Sequence, residues 1–275
     1  MGQRFREQVR LGRIAYQYQD SPNDRDEVFM MSSTYYPPPE TVAYPEHKLK
    51  VEDMEPILRC GVPEMQIMKE KPWKPKVVTL RGGQQMVVRS LREDEFDQLL
   101  EAIKPYMFIA KDFYDIVGVR TYGEVLAQKI HRIKDAYTLV GIIDGQLAGL
   151  ANARMFNEKV AYSLHTMSFM RGVDAGPALY YAKAEYAFDY LGADVWEACF
   201  ESYNGLRVIG LQWAHKSKAY PEFQTELGGA RVFYLDRDLW DNFIKKKFAH
   251  YIGSYNVPQE LLKKAEHFTV GPPIV

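Results

Sequence analysis

Six consecutive residues, Arg171-Gly172-Val173-Asp174-Ala175-Gly176, stand between an apolar run and a helical pattern that opens at Pro177. A glycine-containing turn that feeds a helix start leaves main-chain N–H groups without carbonyl partners. It also sits at the positive end of the helix dipole, so it suits an anion such as a phosphate. The plainer alternative is a connecting turn that binds nothing. His165 lies just upstream, on what reads as a strand. There it could take a proton near neutral pH, or serve as a hydrogen-bonded core histidine. Further on, Val195, Glu197, Cys199 and Glu201 share one face of an alternating run, and Trp196, Ala198 and Phe200 the apolar other. Roughly 13 Å separates the two carboxylates at about 3.3 Å per residue. That is too far for one shared proton, so each is a separate candidate base or ion-pair partner. Cys199 has no base beside it in sequence and reads as a small buried apolar residue. No His, Cys and Asp cluster has the spacing of a metal site, so none is expected.

These residues need a strand, a turn, a helix and a second strand to hold them. Residues 159–171 and 193–204 are rich in Val, Phe, Trp and Tyr and read as buried strands. Between them Pro177 suits a first helical position, Leu179, Ala182, Tyr186 and Tyr190 recur at helical spacing, and Gly192 is placed to end the helix left-handed. Two hairpins precede this unit. One joins 77–80 to 85–88 through Arg-Gly-Gly-Gln; the other joins 136–143 to 146–156 through Asp144-Gly145, a pair that tolerates positive φ. Ser90-Leu-Arg-Glu93 reads as a capping box opening a helix over 91–103, and Thr121-Tyr-Gly-Glu124 as a second one opening 125–133, which carries His131 as a packing or solvent residue. A strand over 229–235 entered through Gly228-Gly229, a helix over 236–247 with a basic end, and a short helix over 257–264 complete the pattern.

The order Arg171-x-x-Asp174-x-Gly176 between strand and helix resembles the Arg/Gln-x-x-Gly-x-Gly/Ala signature of the GCN5-related N-acetyltransferase (GNAT) superfamily, over about residues 85–236. The resemblance implies an α/β (α+β) fold: a mixed, mostly antiparallel central sheet flanked by helices, here with an N-terminal extension. It implies acetyl-coenzyme A, or another acyl-coenzyme A, as co-substrate, with direct transfer to an amine of a small molecule or peptide. The pyrophosphate would rest on Arg171, Gly172, Val173, Asp174, Ala175, Gly176 and Ala178. The thioester would lie beside the strand at 166–169, against Met167, Ser168 and Phe169. Asn204 sits where the family carries an Asn that opens its last core helix. The candidate catalytic side chains are His165, Glu197 and Tyr203. In the family a Tyr two turns after that Asn protonates the departing thiolate; Leu211 stands there in this chain, and Tyr203 is close in sequence without being the matching residue. Asp174 replaces the first motif glycine, and its carboxylate would repel a pyrophosphate unless it turned outward or found a cation. Pro177 removes one N–H from the helix start. These departures leave room for a second reading, a non-catalytic GNAT-fold protein that binds coenzyme A weakly or serves as an interaction or assembly protein.

Bulk composition narrows the classes further. The 275 residues carry a net charge of −1, so no whole-chain field recruits nucleic acid or an anionic membrane. Two cysteines, Cys60 and Cys199, form neither a disulfide framework nor a zinc set, and no apolar run has the length of a membrane span, which predicts a cytoplasmic protein. The 14 Phe, 19 Tyr and 4 Trp leave material for a homodimer interface. Residues 1–76 read as an irregular extension, with a helix at 4–18, a proline-interrupted stretch around 35–45 and a helix at 51–58. Residues 77–250 read as the acyltransferase-like domain, and 251–275 as a C-terminal helix and tail.

Overall fold

Hairpin chemistry sets the first half of the sheet. The computed structural model describes residues 66–217 and 232–272. The helices expected at 4–18 and 51–58, the proline-rich stretch and the Gly228-Gly229 turn lie outside the described residues. A short helix α1 (Gln66–Glu70) leads to strands β1 (Lys76–Thr79) and β2 (Gln85–Ser90), paired antiparallel as the turn residues predict. Helices α2 (Phe96–Ile103) and α3 (Tyr114–Lys129) come next. Strands β3 (Ala136–Ile143) and β4 (Gln146–Met155) then form the second hairpin, in which Asp144 and Gly145 take φ of 48° and 81°. After β5 (Val160–Ser168) comes α4 (Ala175–Glu185), extended by a π-helical turn at Tyr186–Tyr190 and closed at Gly192 with φ 81°, the left-handed ending expected. The remainder is β6 (Val195–Ala198), α5 (Tyr203–Gly205, carried on through Leu206–Gly210), β7 (Lys216–Ser217), β8 (Phe233–Asp236), α6 (Arg237–Leu239, carried on through Trp240–Ile244 and Lys245–Lys247) and α7 (Gln259–Lys264).

The eight strands make one sheet in the order β1-β2-β3-β4-β5-β6-β8-β7. Every neighbouring pair is antiparallel except β5 and β6, which run parallel from Val160↔Val195 to Ser163↔Ala198. There β6 stops while β5 continues to Ser168, so the sheet opens along one edge of β5. A bulge in the β4–β5 ladder between Ala151 and Ala153 adds to the local twist. Helix α4 covers one face, where Leu179, Ala182 and Tyr186 pack with Met86, Val88 and Leu139. Helices α2 and α3 cover the other, where Leu99, Ile103 and Val125 meet Val140, Leu150 and Met167. The segment after residue 250 is built into both: Tyr251 joins the first core and Leu261, Ala265 and Phe268 the second, with bridges Val77↔Ser254 and Gln146↔Thr269. Among the described residues no helix is long and apolar enough to cross a membrane.

Three local expectations fail, each for a physical reason. Helix α4 starts at Ala175, so Pro177 is its third residue; that position also lacks an intrahelical acceptor for its N–H, and proline is tolerated. The box at 90–93 is shifted: Glu95, held by Arg89 at 2.6 and 2.7 Å, accepts from Arg92 N–H, and a 3₁₀ turn at Glu93–Glu95 precedes α2. The second box does not exist. Residues 121–124 lie inside the continuous α3, where Thr121 Oγ1 donates to the Val117 carbonyl.

Candidate functional site

The opening between β5 and β6 is a cavity of about 170 Å³ that runs from the start of α4 to α5. At one end stand Arg171, Gly176 and Pro177. Gly172 (φ 75°) and Asp174 (φ 65°) both take left-handed backbone, a geometry that turns successive N–H groups to one side. The N–H groups of residues 172–176 take no part in the loop and cap bonds among the described residues. A Cβ on Gly176 would stand 2.7 Å from Ser168 Oγ, so a side chain there would have to displace the serine hydroxyl. The Asp174 carboxylate does not fill the hollow: it accepts from Tyr251 OH at 2.6 Å and pairs with Arg81 Nε at 3.3 Å. Arg171 is held by Tyr114, whose hydroxyl accepts from Nη1 at 2.6 Å and whose ring lies 4.6 Å under the guanidinium.

The wall is β5. Phe169 and Met170 N–H both go to the Ala148 carbonyl, and His165 N–H goes to Asn152 Oδ1, which together with the register Leu150↔Met167 sets the alternation of the strand. The N–H groups of Thr166 and Ser168 therefore turn to the open edge. Thr166 lines the cavity, and its Oγ1 is buried without a hydrogen-bond partner among the described residues.

The floor is a buried ionic triad. His165 Nδ1 faces both Glu124 oxygens at 2.8 and 2.9 Å, and Nε2 faces Glu201 Oε1 at 2.9 Å. Glu124 also accepts from Asn152 Nδ2 at 2.7 Å. Burial alone would depress the imidazole pKa, but Glu124 and then Glu201 outweigh it and push it up to about 10. Burial likewise opposes the ionised Glu201, yet His165 reverses this and holds its carboxyl down at about 2. The triad is thus an imidazolium between two carboxylates. On the opposite face of the sheet Lys183 Nζ donates to the carbonyls of Asn152 (3.2 Å) and His165 (3.1 Å), plugging the bulge. Burial pulls its pKa down to about 7, against the pull of Glu124 and Glu201. Beside it Trp196 Nε1 donates to the Tyr180 oxygen at 2.9 Å. Burial holds the His215 pKa down at about 3, and its Nε2 shares a hydrogen bond of 3.0 Å with the Tyr180 hydroxyl.

The residues read from sequence divide accordingly. His165, Met167, Ser168, Arg171, Gly176 and Asn204 line the cavity; Gly172 and Asp174 shape the loop at its mouth. Phe169 does not reach the open edge: its N–H is bonded to β4 and its ring packs on Tyr106 at 5.4 Å. Val173, Ala175 and Ala178 support the loop from the core side. Glu197 is buried in β6 away from the cavity, and Glu201, beyond the strand end, meets His165 instead. Tyr203 is 71% exposed and off the cavity wall. Asn204 does not open α5. Ser202 caps it through Gly205 N–H, while the Asp112 carboxylate takes the N–H of Tyr203 (2.8 Å) and Asn204 (3.2 Å). Sequence reasoning missed Glu124, Lys183, Tyr114 and Asn152. Glu124 was recoverable, since a helix begun at 114 puts it on one face with Val117, Thr121 and Val125. No group of three His, Cys, Asp or Glu among the described residues could hold a metal ion.

Comparison with protein-family models finds no match, and neither does comparison with curated proteins. Solved structures do align. The GNAT domain of S. lividans PAT is 17% identical, with 59% of this chain and 96% of that one covered and a TM-score of 0.42. FdhC, a nucleotide-linked sugar GNAT, is 14% identical, with 66% and 99% covered and a TM-score of 0.48. The PaiA N-acetyltransferase of Thermoplasma acidophilum, in complex with coenzyme A, is 12% identical, with 55% and 98% covered and a TM-score of 0.40. In this chain an antiparallel run β1 to β5 is followed across α4 by the parallel β6, which parts from β5 to leave an open edge: the mixed, mostly antiparallel sheet flanked by helices that the resemblance implied.

Proposed function

We propose that the protein is an acyl-coenzyme A-dependent N-acyltransferase that passes an acyl group, in the simplest case acetyl, directly to an amine. One observation carries the reading: a single cavity runs from Arg171 and Gly176 at the start of α4, past Thr166 and Ser168 of β5, to His165 and Glu201, behind which stands Glu124. The residues present fit the coenzyme. Arg171 and the N–H groups of 172–176 offer positive potential to a pyrophosphate, and Gly176 leaves it room. On this reading the Thr166 and Ser168 N–H groups donate to the thioester oxygen and stabilise the charge that grows there as the amine attacks. Glu201 receives the incoming ammonium. Added positive charge beside the imidazolium lowers its pKa, so His165 gives its own proton to solvent as the ammonium enters, and the neutral imidazole then takes, through Glu201, the proton the amine must lose. Collapse of the tetrahedral adduct breaks the carbon–sulfur bond, forms the amide and releases coenzyme A as a thiolate that takes a proton from solvent.

The test is thiol release. Purified protein with acetyl-coenzyme A and a panel of primary amines should release free coenzyme A above the hydrolytic background, and Ser168→Pro, which removes one edge N–H, should lower the rate about a hundredfold. Absence of release with every amine, with coenzyme A still bound, would favour the second reading of a non-catalytic GNAT-fold protein. Leu211, exposed where the family carries its tyrosine acid, and Tyr203, outside the cavity, are the observations on its side.

A further inference from the structure

The cavity is electrically polarised, and its closed end says what enters it. The mouth carries Arg171 and the N-terminal end of α4, an 11-residue helix. Glu201 is the one carboxylate among the lining residues. One oxygen of Glu201 faces His165 Nε2, and the side chain keeps 17% of its exposure, unlike Glu124 behind it at 5%. Two carboxyl groups flank the one imidazole, so the triad holds one more acidic group than basic. Arg120 also acts on Glu201 electrostatically, and Lys183 lines the same cavity from α4, its amine given to two carbonyls. Apolar and aromatic side chains line the same cavity, among them Tyr106, Val117, Phe200 and Val208. A carboxylate edge framed by such side chains takes an ammonium, whose N–H groups donate to the oxygen and whose charge is welcome beside ring faces. A second carboxylate on the neighbouring carbon would lie within a few ångströms of Glu201 in a low-dielectric site and be repelled.

We propose that the acceptor is a cationic primary amine with an apolar body and no carboxylate near its nitrogen, selected by Glu201. The proposal deepens the transferase reading and rests on it for the fate of the amine, but the binding it foresees does not require turnover. Phenethylamine and phenylalanine share one body and differ by that carboxylate, so they separate the idea cleanly. Each is titrated calorimetrically into the full chain, with and without saturating coenzyme A, for the wild type, Glu201→Gln and Glu201→Asp. Phenethylamine is expected to bind at least about tenfold more tightly than phenylalanine. Glu201→Gln should collapse the ratio to about threefold or less, and Glu201→Asp should keep most of it. Equal affinity of the two ligands, no heat from phenethylamine, or a ratio indifferent to Glu201→Gln in a variant with native circular dichroism would each overturn the proposal. Heat from phenethylamine without any from coenzyme A would leave the amine site at Glu201 standing and remove the transferase reading instead.

Discussion

His165 and Lys183 are two buried groups whose protonation differs from that in an unfolded chain, and they pull in opposite directions. His165 binds its proton up to about pH 10 instead of 6.5. The stabilisation it supplies is complete below pH 6.5 and is lost as the pH climbs to 10. Lys183 gives up its proton at about 7 instead of 10.5. Its penalty as a buried charge is complete below pH 7 and is relieved as the pH climbs to 10.5. The two slopes nearly cancel in the wild type between pH 7 and 10. Chemical denaturation across that range should show stability rising with pH in His165→Gln and falling in Lys183→Met; slopes of one sign in both variants would refute the assignment. His165 was visible in the sequence as a candidate, yet its role was not. The residues that decide it, Glu124 and Glu201, come from a helix and a loop, 41 and 36 positions away. A pattern of local hydrogen-bonding residues, Thr121 to Glu124, imitated a cap where the chain in fact runs through a helix interior.

At the scale of elements, the start of α4 against the end of β5 decides what the turn can hold. Arg171, Gly172 and Gly176 were legible because backbone requirements are local: left-handed φ at Gly172 and close approach at Gly176 both leave a mark on residue type. The fate of Asp174 was not legible, because its partners Tyr251 and Arg81 lie 77 positions downstream and far upstream. Nor was the short β6, whose alternation continues past Ala198 although its pairing does not. Gly176→Ala should push on the Ser168 hydroxyl, turn it into the cavity, and weaken coenzyme A binding about tenfold at near-native stability. Ser168→Ala in the same chain should restore most of that affinity. No recovery in the double variant would show that the close contact is not what excludes a side chain there.

At the scale of the molecule, the strand–helix–strand unit is closed by chain from both sides of it. Hairpin signals made the order of β1 to β4 readable in advance, since turn chemistry and alternation are short-range. The C-terminal segment was not readable as core. Its α7 looks like an isolated short helix, and only the sheet edge shows where Leu261, Ala265 and Phe268 go. Phe268 is 2% exposed, so Phe268→Ala should cost about 3 to 4 kcal/mol and lower the midpoint of cooperative unfolding; a change under about 1 kcal/mol would mean the segment is dispensable. The central claim is that main-chain amides after Arg171 receive a phosphorylated thioester carrier. Calorimetric titration of acetyl-coenzyme A into the wild-type chain tests it directly. Binding in the micromolar range, weakened at least about tenfold at high salt, is the predicted result; no heat up to millimolar ligand from correctly folded protein would contradict it.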